Sequence, residues 1–253
     1  MEQPIIQLQN VWFAFNGRPV LRDVSFDAQR GEFLALIGPN GGGKTTLLKL
    51  MLGLLEPNHG QVLVFGKPPH QSFHSFGYVP QEMGGSRSFP VSVLDAVLMG
   101  RLQPRRLRSR FTTRDREAAE NALRQLEIWQ YRHRRVGELS GGQRQRVFIA
   151  RALVTEPEIL FLDEPVANID AKGQAELHAL LEELNQTVTI VMVTHEVMVI
   201  SSYVKSVACV NRSVHFHGSS EITAEMIDQT YSCPVELVAH GVPHRVLRRH
   251  EDF

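Results

Sequence analysis

The run Gly38-Pro39-Asn40-Gly41-Gly42-Gly43-Lys44-Thr45 limits what this chain can fold into more than any other feature. It follows a continuous apolar segment, Phe33-Leu34-Ala35-Leu36-Ile37, as a parallel strand buried on both faces requires. It precedes apolar residues at helical spacing from Lys44 to Leu52. A G-x-x-x-x-G-K-[ST] segment between strand and helix predicts a phosphate-binding loop. Its glycines let the backbone curl so that successive N–H groups face one anion, and the helix N-terminus adds partial positive charge. Lys44 can bridge the β- and γ-phosphates of a nucleotide, and the Thr45 hydroxyl can ligate Mg²⁺.

Two further segments carry chemistry. Ile159-Leu160-Phe161-Leu162-Asp163-Glu164-Pro165 ends an apolar strand on two carboxylates. A charge at the edge of a core needs a partner, and Mg²⁺ would serve Asp163. Glu164 points elsewhere and can polarise an attacking water as a general base. Leu139-Ser140-Gly141-Gly142-Gln143 opens a helix reaching about Thr155 and presents a second set of N–H groups to an anion. One cradle already holds the phosphates, so a second grip makes sense if it faces the cradle of another copy.

The rest of the chain supplies the frame. Ile5–Val11 and Val20–Phe26 partly alternate and read as short paired strands punctuated by Asn16-Gly17. Val62–Phe65 reads as another strand. From about 84 to 155 helical periodicity replaces the strand pattern, and Thr112 with Asp115 predicts a capping box. A helix near 171–185 and strands at Val188–Val193, Val204–Val210 and Ser213–Phe216 follow. The tail beyond about 221 begins helical and becomes rich in Arg and His. The expected organisation is a domain over 1–225, with the helical insert at 84–155, and an extension over 226–253.

Among 253 residues, Lys plus Arg and Asp plus Glu each number 27, so no net charge directs the chain to nucleic acid or anionic lipid. Cys209 and Cys233 form neither a disulfide framework nor a zinc spacing and are expected to be free thiols. Neither a long apolar run nor a secretory leader is present, so the chain is expected in the cytosol. His215 and His217 alternate on a strand, and His240, His244 and His250 lie in the tail. Two His at that spacing can chelate, yet alternation is equally ordinary and no cysteine completes a zinc set. The basic run Arg101, Arg105, Arg106, Arg108, Arg110 reads as a solvated face near lipid head groups.

In their order along the chain these motifs resemble the ATP-binding cassette (ABC) ATPases. Gly38–Thr45 resembles the Walker A loop, and Gln81 in Tyr78-Val79-Pro80-Gln81 the Q-loop glutamine. Leu139–Gln143 matches the signature sequence, Asp163 the Walker B aspartate and Glu164 the catalytic glutamate. Asp170 in Ala167-Asn168-Ile169-Asp170 resembles the D-loop aspartate, and His195 in Val193-Thr194-His195-Glu196 the switch histidine. Phe15 sits where the family stacks an aromatic on adenine. Val166 stands where many members carry Thr, and the D-loop departs from Ser-Ala-Leu-Asp. Neither change removes a chemical group.

The resemblance implies an α/β fold: a P-loop NTPase (RecA-like) core with an N-terminal antiparallel β subdomain and an inserted α-helical subdomain. It implies MgATP hydrolysis in a head-to-tail homodimer with two nucleotides in the interface. Glu164, His195 and Lys44 are then the catalytic residues. Phe15, Gly38, Pro39, Asn40, Gly41, Gly42, Gly43, Lys44, Thr45, Thr46, Gln81, Ser140, Gly141, Gly142, Gln143 and Asp170 contact ATP, with Ser140, Gly141 and Gly142 coming from the partner. Thr45, Gln81 and Asp163 hold Mg²⁺. Phe89–Arg101 resembles the groove by which zinc- and manganese-type importer ATPases receive a helix of a membrane permease subunit. That places the chain on the cytoplasmic face of the membrane, linked indirectly to an extracytoplasmic solute-binding protein. A non-transport ABC ATPase, such as one assembling iron–sulfur clusters, would share the nucleotide motifs but not this stretch.

Overall fold

Strand β3 (Phe33–Ile37) is buried along its whole length, as are β6 (Ile159–Asp163) and β7 (Thr189–Val193). In these strands successive side chains enter different cores. Phe33, Ala35, Ile37, Leu160, Leu162, Ile190 and Met192 face one cluster. Leu34, Leu36, Ile159, Phe161, Val191 and Val193 face the other. Apolar layers on both sides explain why the sequence runs apolar without alternation. A computed structural model describes residues 3–81, 90–102, 111–167, 169–195 and 204–218.

Among the described residues the strands form two sheets. The larger has the order β5-β6-β7-β3-β8-β9, with β5 spanning Phe76–Val79, β8 Ser206–Asn211 and β9 Ser213–His217. It is parallel except for the β8–β9 hairpin. The smaller is antiparallel, order β2-β1-β4, from β1 (Ile6–Phe15), β2 (Arg18–Ala28) and β4 (His59–Val64). Helix α1 (Lys44–Met51) buries Leu47, Leu48, Leu50 and Met51 in the core it shares with this smaller sheet. Helices α2 (Val93–Leu98), α3 (Thr113–Gln125) and α4 (Gly141–Leu153) lie between β5 and β6 in sequence and pack on one another beside the opposite face. Helix α5 (Ala171–Asn185) completes that layer.

Several expectations change in detail. The paired strands at the N-terminus are one longer hairpin around Asn16-Gly17. Its register shifts between Leu8 and Ala14, and such bulges interrupt alternation without ending the ladder. Asn10 and Asp23 both adopt left-handed backbone there and join across the hairpin, Nδ2 to Oδ1, at 3.0 Å. Strand β4 ends at Val64, because Phe65 turns left-handed. The Thr112–Asp115 capping box is present. Arg101 departs from the solvated-face expectation: it donates to Asp115 at 3.0 Å and to the Val154 carbonyl at 3.2 Å. The other arginines of that run, Arg105, Arg106, Arg108 and Arg110, lie outside the described residues, as do Phe89, Asn168, Glu196, Cys233, His240, His244, His250 and the extension over 226–253.

Candidate nucleotide site

The phosphate loop joins the tip of β3 to α1. Gly43 caps that helix with φ +105°, a left-handed conformation that glycine adopts freely. It brings no side-chain cap, so the first-turn N–H groups of α1 keep their donor capacity for an anion. Lys44 is buried, and its ammonium donates to the carbonyls of Gly38 at 2.8 Å and Pro39 at 3.0 Å. Burial lowers its pKa, opposed by the nearby Glu164 and Asp163 carboxylates. A buried cation bonded to neutral carbonyls is poised to exchange them for phosphate oxygens.

Opposite lies the tip of β6. Asp163 is 2% exposed, and its carboxylate accepts the Thr45 hydroxyl at 3.1 Å. Burial pushes its pKa up. Glu164 follows at φ +49°, with its N–H bonded to the Val193 carbonyl at 3.0 Å. That backbone turn separates two consecutive carboxylates. Glu164 Oε2 accepts from Gln81 Nε2 at 2.7 Å, and His195 Nδ1 lies 3.8 Å from the same oxygen. Gln81 follows β5 and His195 follows β7, so three strand ends converge on one carboxylate oxygen.

These groups line a cavity of about 510 Å³ together with Phe15, Asn40, Gly41, Gly43, Thr45 and Thr46. Phe15 ends β1, is 49% exposed and meets Phe13 edge-on at 4.7 Å. Phe13 is instead buried, which separates the core aromatic from the cavity aromatic. Gly38, Pro39 and Gly42 sit behind the lining, and Asp163 reaches it through Thr45. Val20 also lines the cavity. Its alternating apolar pattern carried no signal of that.

Ser140, Gly141, Gly142, Gln143 and Asp170 lie elsewhere, along a separate cleft of about 1000 Å³ between α4 and α5. Ser140 caps α4 in a reciprocal box with Gln143, at 3.3 Å and 3.1 Å. Asp170 caps α5 through the Gly173 N–H at 2.9 Å. Two helix N-termini therefore open into the cleft. Arg146 of α4 ties it together, bonding Glu127 at 2.7 Å and Glu176 at 3.2 Å. His215 and His217 lie on β9, and among the described residues no group of three or more His, Cys, Asp or Glu is placed to hold a metal ion.

A family model described as ABC transporter matches residues 21–167, more than half of the chain. The chain belongs to the ABC transporter ATPase family. ABC ATPases bind and hydrolyse ATP, which fits the cradle just described. The zinc uptake system ATP-binding protein ZurA of Listeria innocua is 39% identical over 221 residues, covering 85% of this chain and 86% of its own. The manganese transport system ATP-binding protein MntB of Bacillus subtilis is 37% identical over 229 residues, covering 89% and 92%. A solved metal-chelate-type ABC transporter in an inward-facing conformation superposes with a TM-score of 0.81 at 30% identity, covering 92% of this chain and 90% of that one. No described helix of this ABC ATPase is long and apolar enough to cross a membrane.

Proposed function

We propose that this ABC ATPase drives import of a metal ion of the zinc or manganese type, hydrolysing MgATP between two copies of the chain at the cytoplasmic face of a membrane. The observation that carries the two-copy reading is the separation of the two clefts. The cradle holds a lysine, a general base and a polarising imidazole, and the α4–α5 cleft holds two helix N-termini that no group of the cradle shares. Head-to-tail pairing puts Ser140, Gly141, Gly142 and Gln143 of one copy, with Asp170 beside them, onto the terminal phosphate in the other.

Within the cradle, Phe15 stacks on the adenine. Gly38, Pro39, Asn40, Gly41, Gly42 and Gly43 shape the loop, and the α1 N–H groups with Lys44 and Thr46 take the phosphates. Each hydrogen bond to a charged group contributes roughly 1.5–3 kcal/mol. The Thr45 hydroxyl and the buried Asp163 carboxylate form a hard oxygen pair, with Lys44 and Lys49 as nearby positive charges among the described residues. They fit Mg²⁺, with Gln81 as a third ligand. Bound there, the ion supplies charge neutralisation to the phosphates. Glu164 Oε2 accepts a proton from the attacking water. Gln81 and His195 flank that oxygen and fix its direction, and His195 also holds the γ-phosphate.

Metal import rests on the relatives named for zinc and manganese transport and on the stretch up to Arg101. There α2 buries Val93, Ala96, Val97 and Leu98 while Met99 and Leu102 remain 42% and 49% exposed. These apolar side chains suit a helix of a permease subunit, itself served by an extracytoplasmic solute-binding protein. No nucleic-acid partner is proposed. The test is to purify the chain with its membrane partner in vesicles containing the binding protein and titrate metals. Stimulation of ATP hydrolysis by Zn²⁺ or Mn²⁺ supports the reading, and equal rates with every metal defeat it.

A further inference from the structure

The phosphate loop is backed by a backbone contact that none of the nucleotide motifs contains. Strand β8 pairs with β3 as far as Ile37 and Cys209, then runs on through Val210 and Asn211 above the start of the loop. It turns at Arg212 into β9. A Cβ placed on Gly38 would run into the Val210 carbonyl oxygen, and one on Gly42 would lie 2.7 Å from the same atom. Loop and hairpin thus touch main chain to main chain. The Arg212 N–H donates to the Gly42 carbonyl at 3.0 Å, and the Arg212 carbonyl accepts from Arg22 of β2 at 2.6 Å. Arg212 holds φ +63°, a conformation disfavoured for an L residue, and its side chain is exposed.

We propose that the β8–β9 turn at Arg212 is a positioning brace that orients the phosphate loop. A trans peptide points its C=O and N–H in opposite directions. Pinning the Gly42 carbonyl outward to Arg212 therefore aims the Gly43 N–H inward, toward the bound phosphates. The left-handed turn sets where the Arg212 N–H stands. The bond to Arg22 transmits the position of β2, whose Val20 and Leu21 also abut Gly43. The hairpin carrying Phe15 and the loop carrying Lys44 are thereby held to each other by one residue's backbone.

This inference rests on the reading of Gly38–Thr45 as the nucleotide cradle, and the test separates the two. In the full-length chain, Arg212→Val disfavours the left-handed turn, whereas Arg212→Gly accommodates it. With Mg²⁺ present, Arg212→Val is expected to weaken ATP binding about 10- to 100-fold, a loss typical of sub-ångström to ångström misplacement. Arg212→Gly is expected to stay within about twofold of the parent, since the geometry survives. Equal affinity in all three chains, or equal loss in both variants, overturns the brace. Hydrogen exchange on the unmodified chain tests it without a substitution. The Arg212 amide should gain protection together with the loop when ATP binds, and an Arg212 amide indifferent to ATP overturns the brace. Lys44→Ala is the separate control: unchanged ATP binding there would remove the cradle reading itself, whatever the Arg212 variants do.

Discussion

Glu164 stands in left-handed backbone at the end of a fully buried strand, its N–H held by Val193 and one carboxylate oxygen held by Gln81. Those bonds fix the direction of the proposed base. Glu164→Gln should therefore retain ATP affinity and lower turnover on the order of 10²- to 10⁴-fold, the loss expected for a positioned base. Phosphate release and equilibrium binding, measured on the same preparation, check both halves. The residues gathered at this candidate site were legible in the sequence because Lys44, Asp163, Glu164 and His195 carry distinctive functional groups in recognisable motifs. The backbone of Glu164, the lining by Val20 and the Arg212 contact were not legible. Each depends on main-chain conformation or on where an unremarkable side chain happens to face, and residue identity records neither.

Strands and helices were legible to different degrees for one physical reason. Where both faces are buried, as in β3, β6 and β7, a continuous apolar run has few competing explanations. Where one face meets solvent and bulges shift the register, as in β1 and β2, alternation breaks before the strand does. Short β5, with Gly77 and two half-buried aromatics, carried too little pattern to mark it as a strand. Phe161 is fully buried in β6 and meets Phe76 edge-on at 5.4 Å. Phe161→Ala should destabilise the fold by about 3–5 kcal/mol, seen as a lower denaturation midpoint. Helix α3 supplies a pH-dependent case. The Thr112 N–H and hydroxyl, then Arg101, hold the Asp115 pKa down from 3.8 to about 2. A depressed carboxylate stabilises the fold fully above its ordinary pKa and loses that contribution as pH falls through the folded value. Stability should therefore decline between about pH 4 and pH 2. Asp115→Asn, which cannot ionise, should flatten that part of a denaturation-against-pH profile.

On the scale of the whole molecule, the cradle and the α4–α5 cleft are two surfaces of one chain, built on the N-termini of different helices. The core that positions the cradle does not depend on the Ser140 lip. Ser140→Arg should therefore leave nucleotide binding by the single chain nearly intact while abolishing turnover, which titration and a steady-state ATPase assay would separate. A parallel loss of binding would show that the two surfaces are not independent. The arrangement also has an arithmetic of its own. In the proposed twofold pair every lesion is inherited twice, so Lys44→Ala and Ser140→Arg chains should each be inactive alone. Mixed, a Lys44→Ala chain and a Ser140→Arg chain pool both defects in one reaction chamber and leave the other wholly wild type. Random pairing makes about half of all pairs mixed, so about a quarter of the chambers should be restored. Two inactive proteins, combined in one tube, should begin to release phosphate.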